Sequence, residues 1–289
     1  MKKYLILGAT GLLGSRLVKE LSDSHGTHRT NSLIFTNNLH FLEGGDINSF
    51  NMLLKKIKPH AVINCIGLAN VDKCEILPEK SWQINCSLPV KFAEVCKNNS
   101  VKFIQISTDH YLNLSTKKLA EVDKVWPVNQ YGFSKLFAEK LILLVNPNSL
   151  VVRTNFFHFN IENPKTFLDK LVWDNSEQKI FNSFSDVIFT PVSTSFLSLC
   201  IQRLIDLNYS GVINVSCDEP ISKYEFHETV LQILNIESTF NIPIYAEKVG
   251  LAAQRVKYMA LDNSLLKSVT NNNLPSIYDM IIQELKLLI

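Results

Sequence analysis

The chain has no apolar run approaching the roughly 18–20 residues that a bilayer-spanning helix needs, so no membrane partner is expected. It also lacks a charge imbalance. The formal net charge is +2 over 289 residues, which gives no basic surface for nucleic acid or an anionic membrane. There is no Cys-x-x-Cys pair. The six cysteines (Cys65, Cys74, Cys86, Cys96, Cys200 and Cys217) are widely spaced, so neither a metal site nor a disulfide framework is expected, and the pattern suits reduced thiols in a cytoplasmic protein. Internal repeats and low-complexity linkers are absent as well. Lys2-Lys3 before Tyr4–Leu7 opens like a secretory leader, but glycines break the apolar stretch at once and it reads as a first strand.

What is present is 46% hydrophobic residues, enough for a substantial core in one large α/β unit or a main domain with a smaller lobe. The first half alternates short β-rich runs with amphipathic stretches, the pattern of a parallel sheet covered by helices. Strands are predicted at Tyr4–Leu7, Ala61–Ile66, Val101–Ile106, Ser149–Arg153 and Gly211–Ser216, and helices over Leu12–Leu21, Trp82–Asn98, Tyr131–Leu144 and Thr194–Leu207. Ser222 with Glu225 three residues on predicts a capping-box start for a helix running to Leu234. The expected organisation is a dinucleotide-binding domain over 1–153 and a substrate lobe mainly over 154–289, with a return to the main sheet around 192–217.

Gly8, Gly11 and Gly14 follow the first strand directly and open the first helix. That context suits a dinucleotide fingerprint, in which glycines allow a tight turn and the helix N-terminus offers free N–H groups to a pyrophosphate. Thr10, Leu12 and Leu13 share the loop and its backbone donors. The second strand has two readings. His25–Arg29 would bring Arg29 near the adenosine ribose; Leu33–Thr36 would leave Arg29 in a loop. Neither supplies a carboxylate for a 2′-hydroxyl, and Arg29 suits a 2′-phosphate, so NADP(H) is favoured over NAD(H). Asp46 and Ile47 fit either an adenine contact or an ordinary helix cap.

Tyr131 and Lys135 lie one helical turn apart, so their side chains share a face. A neighbouring ammonium stabilises a phenolate, which makes Tyr131 a candidate proton donor to a carbonyl under reduction. The same spacing also describes a surface pair. Strand Val101–Ile106 ends in Ser107-Thr108-Asp109, and reactive groups gather at such carboxyl ends in open parallel sheets. Thr108 either shares a substrate oxygen with Tyr131 or merely caps the strand end.

In these stretches the chain resembles the extended short-chain dehydrogenase/reductases, specifically their dTDP-4-dehydrorhamnose reductase branch. The matching blocks are Gly8–Gly14, Val62–Gly67 with Val71–Glu75, Ser107–Asp109, Pro127–Lys135 with Glu139, Val152–Thr154, Asp186–Pro191, Ile221–Phe226, and Arg255 followed by Leu261-Asp262. They run colinearly along almost the whole chain. The resemblance implies a Rossmann-type doubly wound parallel sheet with a smaller C-terminal α/β lobe. It also implies reduction of the 4-keto group of a nucleotide-linked 6-deoxysugar, and a homodimer. It assigns Thr108, Tyr131 and Lys135 to catalysis, Cys65, Ile66, Gly67 and Ala69 to the cofactor, and Asp109, Asn155, Phe156 and Arg255 to substrate, with Arg255 on its diphosphate.

Departures from the family pattern fall in the expected substrate pocket. His110 to Leu114 replaces Tyr-Val-Phe-Asp-Gly, Asn155-Phe156-Phe157 stands where a tryptophan is common, and Val256 replaces a proline. A sugar other than the rhamnose precursor is therefore open. Two other functions stay open too. One is a regulatory subunit like the β subunit of methionine adenosyltransferase. The other is an epimerase or dehydratase, for which Asp109-His110 gives only half of the usual acidic pair.

Overall fold

The computed structural model describes residues 2–29, 38–111, 117–159, 166–271 and 273–287. The alternative second strand, Leu33–Thr36, and Leu112–Leu114 of the divergent pocket segment lie outside the described residues. The chain divides into two compact units. One comprises 1–108, 129–153 and 198–213; the other comprises 109–128, 154–197 and 214–289.

The first unit is built on strands β1 (Tyr4–Leu7), β2 (Ser24–His28), β3 (Leu39–Phe41), β4 (Ala61–Asn64), β5 (Lys102–Ile106) and β6 (Leu150–Thr154). Every pairing among these six is parallel. With the strand Gly211–Val215 beyond β6, the spatial order of the sheet is Gly211–Val215, β6, β5, β4, β1, β2, β3. β1 and β4 are buried at all four positions, as expected where helices cover both faces of a sheet. The covering helices are α1 (Leu12–Glu20), α2 (Ile47–Ile57), α3 (Val71–Ile76), α4 (Pro78–Trp82), α5 (Leu88–Asn98) and α6 (Gln130–Val145). Leu5, Phe50, Val62, Phe92, Phe103, Ile142 and Val151 form one buried cluster between them, with the Phe50 and Phe92 rings 4.6 Å apart.

Two local differences from expectation have physical causes. The helix predicted over Trp82–Asn98 contains a wide π turn at Gln83–Ser87 between α4 and α5. Pro89 follows that turn. Its ring lacks an N–H and would clash with the carbonyl of Asn85 four residues back, and the π turn is the relief. Of the two readings of the second strand, the observed one is Ser24–His28, with Arg29 exposed immediately after it.

In the second unit, β7 (Phe156–Phe157) pairs with β10 (Val192–Ser193), β8 (Phe181–Phe184) with β13 (Asn241–Ile244), and β9 (Ile188–Phe189) with β12 (Ile221–Ser222). The strand Gly211–Val215 of the large sheet is β11 in this order. Helices α7 (Phe167–Ser176), α8 (Thr194–Asp206), α9 (Lys223–Ile233), α10 (Ser264–Thr270) and α11 (Ile277–Lys286) complete the chain. The predicted box at Ser222 is formed, since its hydroxyl accepts from Glu225 N–H while the Glu225 carboxylate accepts from Ser222 N–H. Phe157, Phe189 and Phe226 pack as a buried aromatic group, with the Phe226 centroid 5.1 Å from Phe157 and 5.5 Å from Phe189.

Candidate functional site

The strand order reverses between β1 and β4, and ligands of open α/β sheets bind at that reversal, beyond the carboxyl ends of the strands. Two loops meet the requirement here, Gly8–Gly11 after β1 and Cys65–Asn70 after β4. Gly8 has φ +79°, a left-handed conformation that favours glycine. A Cβ on Gly14 would lie 2.2 Å from the Gly8 carbonyl oxygen, so only glycine lets α1 pack against the turn it follows. Thr27 of β2 pins the loop, taking the Gly8 N–H on its hydroxyl (3.2 Å) and the Ala9 N–H on its carbonyl (2.9 Å). Gly11, the cap residue of α1, offers no side chain to the helix N-terminus, and Thr10, Gly11 and Leu12 are exposed. The N-terminus of α1 is thus open to a ligand. This cradle fits the pyrophosphate of a nicotinamide dinucleotide.

At the neighbouring loop, Asn85 on the π turn uses both ends of its amide. Its Oδ1 accepts from Leu68 N–H at 2.8 Å, and its Nδ2 donates to the Leu68 carbonyl at 3.1 Å. Asn85 is fully buried, so the clamp fixes the loop carrying Cys65, Ile66, Gly67 and Ala69 without solvent competition. The sequence reading missed this residue. An asparagine four residues before a proline, within an otherwise amphipathic helix, was its only signal. Farther out, Arg29 follows β2 and lies beside Gly44. Asp46 caps α2 through Ser49, accepting from its N–H at 3.0 Å and its hydroxyl at 2.5 Å, and these bonds hold its carboxyl below the usual range. Ile47 begins that helix.

The catalytic candidates gather where β5 ends and α6 begins, within the first unit. Asn129 caps α6 by accepting from Gly132 N–H at 2.8 Å, which sets Tyr131 in the first turn and buried Lys135 in the next. Lys135 Nζ donates to the carbonyl of Ile106, the last residue of β5, at 2.6 Å. The same carbonyl accepts from Gln105 Nε2 at 2.7 Å, and Gln105 Oε1 accepts from Asn64 of β4 at 2.8 Å. Burial lowers the Lys135 pKa to about 8, opposed by Glu139, Cys65 and Cys74. Burial also pushes the Cys65 thiol up to about 12, opposed by the Lys135 charge. Thr108 stands two residues past Ile106 and is buried. One turn behind Lys135, buried Glu139 receives Arg153 Nε at 3.0 Å and Nη2 at 2.7 Å, and the Ser107 hydroxyl at 2.5 Å. These bonds tie α6 to both β5 and β6. Holding α6 at this angle against the strand ends is what keeps Lys135 on the Ile106 carbonyl.

The substrate candidates lie in the second unit. Asn155 Nδ2 donates to buried Asp109 at 2.9 Å. Arg255 is half-buried, and its Nη1 donates to the Ala253 carbonyl at 2.8 Å. Phe156 is half-buried in β7, whereas Phe157 and Phe159 belong to the core. Burial lowers the His110 pKa to about 3, with the charges of Lys223 and Arg255 adding to the effect. His158 sits 2.7 Å from fully buried Glu284, which also accepts from Thr194 and from Ser195; that set joins β7, α8 and α11 and is structural. Among the described residues no group of three acidic, histidine or cysteine side chains is placed to hold a metal, and no helix is long and apolar enough to cross a membrane.

Comparison with known proteins gives the same architecture. The dTDP-4-dehydrorhamnose reductase of Bacillus anthracis, solved in complex with NADP, superposes at a TM-score of 0.87 with 22% identity, over 99% of this chain and 100% of that one. The probable low-salt glycan biosynthesis reductase Agl14 of Haloferax volcanii is 26% identical over 282 residues, 95% of this chain and 94% of the relative. Methionine adenosyltransferase 2 subunit beta of Rattus norvegicus is 26% identical over 281 residues, 93% of this chain and 82% of that protein. The profile of the family described as RmlD substrate binding domain matches residues 1–286. With the match running from before β1 to the end of α11, the chain belongs to the RmlD substrate binding domain family.

Proposed function

We propose that this protein is an NAD(P)-dependent oxidoreductase that reduces the 4-keto group of a nucleotide-linked 6-deoxysugar, with NADP(H) favoured over NAD(H). The observation that carries the reading is the Lys135 amine, buried and anchored on the Ile106 carbonyl one turn along from Tyr131. A nicotinamide dinucleotide held by the Gly8–Gly14 loop would supply the hydride for the carbonyl carbon. Tyr131 gives its phenolic proton to the carbonyl oxygen as negative charge develops there. The Lys135 ammonium stabilises the phenolate left behind, and Thr108 donates a hydrogen bond to the same oxygen. Asp109, Asn155 and Phe156 face the sugar, and Arg255 the diphosphate.

The resemblance to Agl14, itself described as a probable low-salt glycan biosynthesis reductase, supports a role in sugar biosynthesis. Exposed Trp82 and Phe133, packed around Phe137 on α4 and α6, support a homodimer. The test is NADPH and NADH oxidation with a panel of nucleotide-linked 4-keto-6-deoxysugars, Tyr131→Phe serving as control. Turnover should fall about 10²–10⁴-fold in that variant with cofactor affinity kept; undiminished turnover overturns the proton donor. A second reading, a regulatory subunit, draws on the similarity to methionine adenosyltransferase 2 subunit beta. It predicts cofactor binding with no turnover of any sugar and co-purification with a partner enzyme.

A further inference from the structure

The strands of the first unit have two ends, and the dinucleotide loops occupy only one of them. At the other, Lys3 precedes β1 and His60 precedes β4, the His60 N–H donating to the Lys3 carbonyl at 2.8 Å. Helix α2 ends in the same place, with Lys56 in its last turn and Lys58 as its cap. Together with Lys2 and buried Ile57 these residues line a groove of about 570 Å³. Lys2 is paired with Asp206 at 2.6 Å. Among the described residues no hydrogen bond or ion pair engages the amines of Lys3, Lys56 and Lys58. Three uncompensated ammonium groups therefore share one groove, in a chain whose formal charge is only +2. The dipole of α2 accounts for Lys56, because cations are favoured at a helix C-terminus. It does not account for Lys3, which leads into a strand. Lys58 has φ +53°, in the left-handed region where glycine or asparagine is the usual cap and a lysine is strained.

We propose that this groove, at the N-terminal ends of β1 and β4, binds a small anion carrying two or more linked phosphate groups. Ammonium groups on flexible stems act as point charges and can follow a phosphate chain, whereas no arginine fork is present to select a planar carboxylate. A single phosphate brings too little charge for three cations. The lining includes no aromatic ring on which a nucleobase could stack, and Ile57 is its one apolar residue. Recognition therefore rests on the phosphates. β1 is four residues long, so at about 3.3 Å per residue the groove lies about 13 Å along the sheet from the Gly8 turn. A ligand there leaves the dinucleotide loops open, and the inference goes beyond the nucleotide-sugar reading without depending on it. His60 reports on the site: burial and the Lys2 charge lower its pKa, opposed by Asp206, and a bound anion favours its protonated form.

The experiment is calorimetric titration of the NADP(H)-loaded protein with inorganic tripolyphosphate and orthophosphate, with the His60 imidazole followed by NMR. The variant combines Lys3→Gln, Lys56→Gln and Lys58→Asn, three exposed positions, and asparagine suits the left-handed cap. Tripolyphosphate should bind wild type more tightly than orthophosphate, lose affinity as salt is added and raise the His60 pKa. The variant should bind it about ten- to a hundredfold more weakly and lose the His60 response, with NADP(H) affinity unchanged. Equal tripolyphosphate affinity in wild type and variant overturns the site. So does wild-type protein that binds no tripolyphosphate, or a His60 resonance that does not respond to it. Equal affinity for tripolyphosphate and orthophosphate means an adventitious ion only and overturns the linked-phosphate assignment. If a single-stranded RNA oligonucleotide binds through the same lysines and tripolyphosphate does not displace it, the small-anion site also fails.

Discussion

Two groups of buried charge in this chain are built on opposite principles. Around Glu139, in the first unit, every charge has its complement. Two guanidinium nitrogens of Arg153 and the Ser107 hydroxyl converge on one carboxylate at 2.5 to 3.0 Å, all of it buried. Around Lys223, in the second unit, the amine lies over the Phe189 ring, 5.7 Å from its centroid, and burial lowers its pKa, with the charge of Asp109 opposing and that of Arg255 adding. The first arrangement locks elements together, since a desolvated pair joined by several hydrogen bonds has one good geometry. The second places an ammonium at a helix start over an aromatic face, which offsets only part of the cost of burying it. Buried charge that is compensated positions other groups.

The largest expected effect breaks the compensated group. Glu139→Ala leaves the Arg153 guanidinium buried opposite a cavity and should cost about 3–5 kcal/mol of stability, read from denaturant unfolding. Glu139→Gln, which keeps the shape and one acceptor, should cost less but still lower kcat, because α6 loses the bond that sets its angle to β5 and β6. Unchanged kcat in a folded Glu139→Gln protein would remove Glu139 from the positioning role. Asn85→Ala is the next largest, at about 1–3 kcal/mol for the stranded Leu68 groups. Its signature is a higher Kd for NADP(H), since the loop it clamps carries Cys65 to Ala69.

pH acts on the two regions from opposite ends of the scale. In the first, the Lys135 pKa is lowered from 10.5 to about 8. The charged amine, and with it kcat/KM, should decline as pH rises through about 8. Lys135→Arg, which keeps its charge there, should flatten that limb in whatever activity it retains. In the second unit, burial lowers His110 and His227 from 6.5 to about 3. A depressed folded pKa means that the unfolded chain binds the proton first, so this stability is complete above about pH 6.5. It drains away as pH falls toward 3. The thermal midpoint should therefore drop steadily between pH 6.5 and 4.5. His227→Asn, although weaker at neutral pH through loss of the Ser183 contact, should show a shallower slope; an equal slope excludes His227 as a source.

The sheet was legible because periodicity reports burial. Tyr4–Leu7 and Ala61–Asn64 are apolar runs with no polar face, and a strand covered on both sides requires nothing else. Gly14 was legible because its absent Cβ is a covalent fact with a steric consequence 2.2 Å away. The π turn at Gln83–Ser87 was hidden, because it depends on Pro89 acting backwards on Asn85 and on a loop seventeen residues earlier in the chain. Lys223 was hidden for a different reason. In sequence it is one more lysine at a helix start, and what distinguishes it is a set of neighbours, Phe189, Asp109 and Arg255, that only the fold brings together.

The smallest expected effect is the sharpest test of the contrast. Lys223→Met keeps the unbranched stem over Phe189 and removes only the charge. The loss is a cation–π contact of about 0.5–1 kcal/mol. Against it stand relief of the helix dipole, about 0.3–1 kcal/mol, and of burial and the Arg255 repulsion. The unliganded variant should thus unfold within about 1 kcal/mol of wild type, on the stable side if burial dominates. A loss of more than about 2 kcal/mol without ligand would mean that the amine supports the fold, as Glu139 does, and the two regions would differ only in how well they are paired.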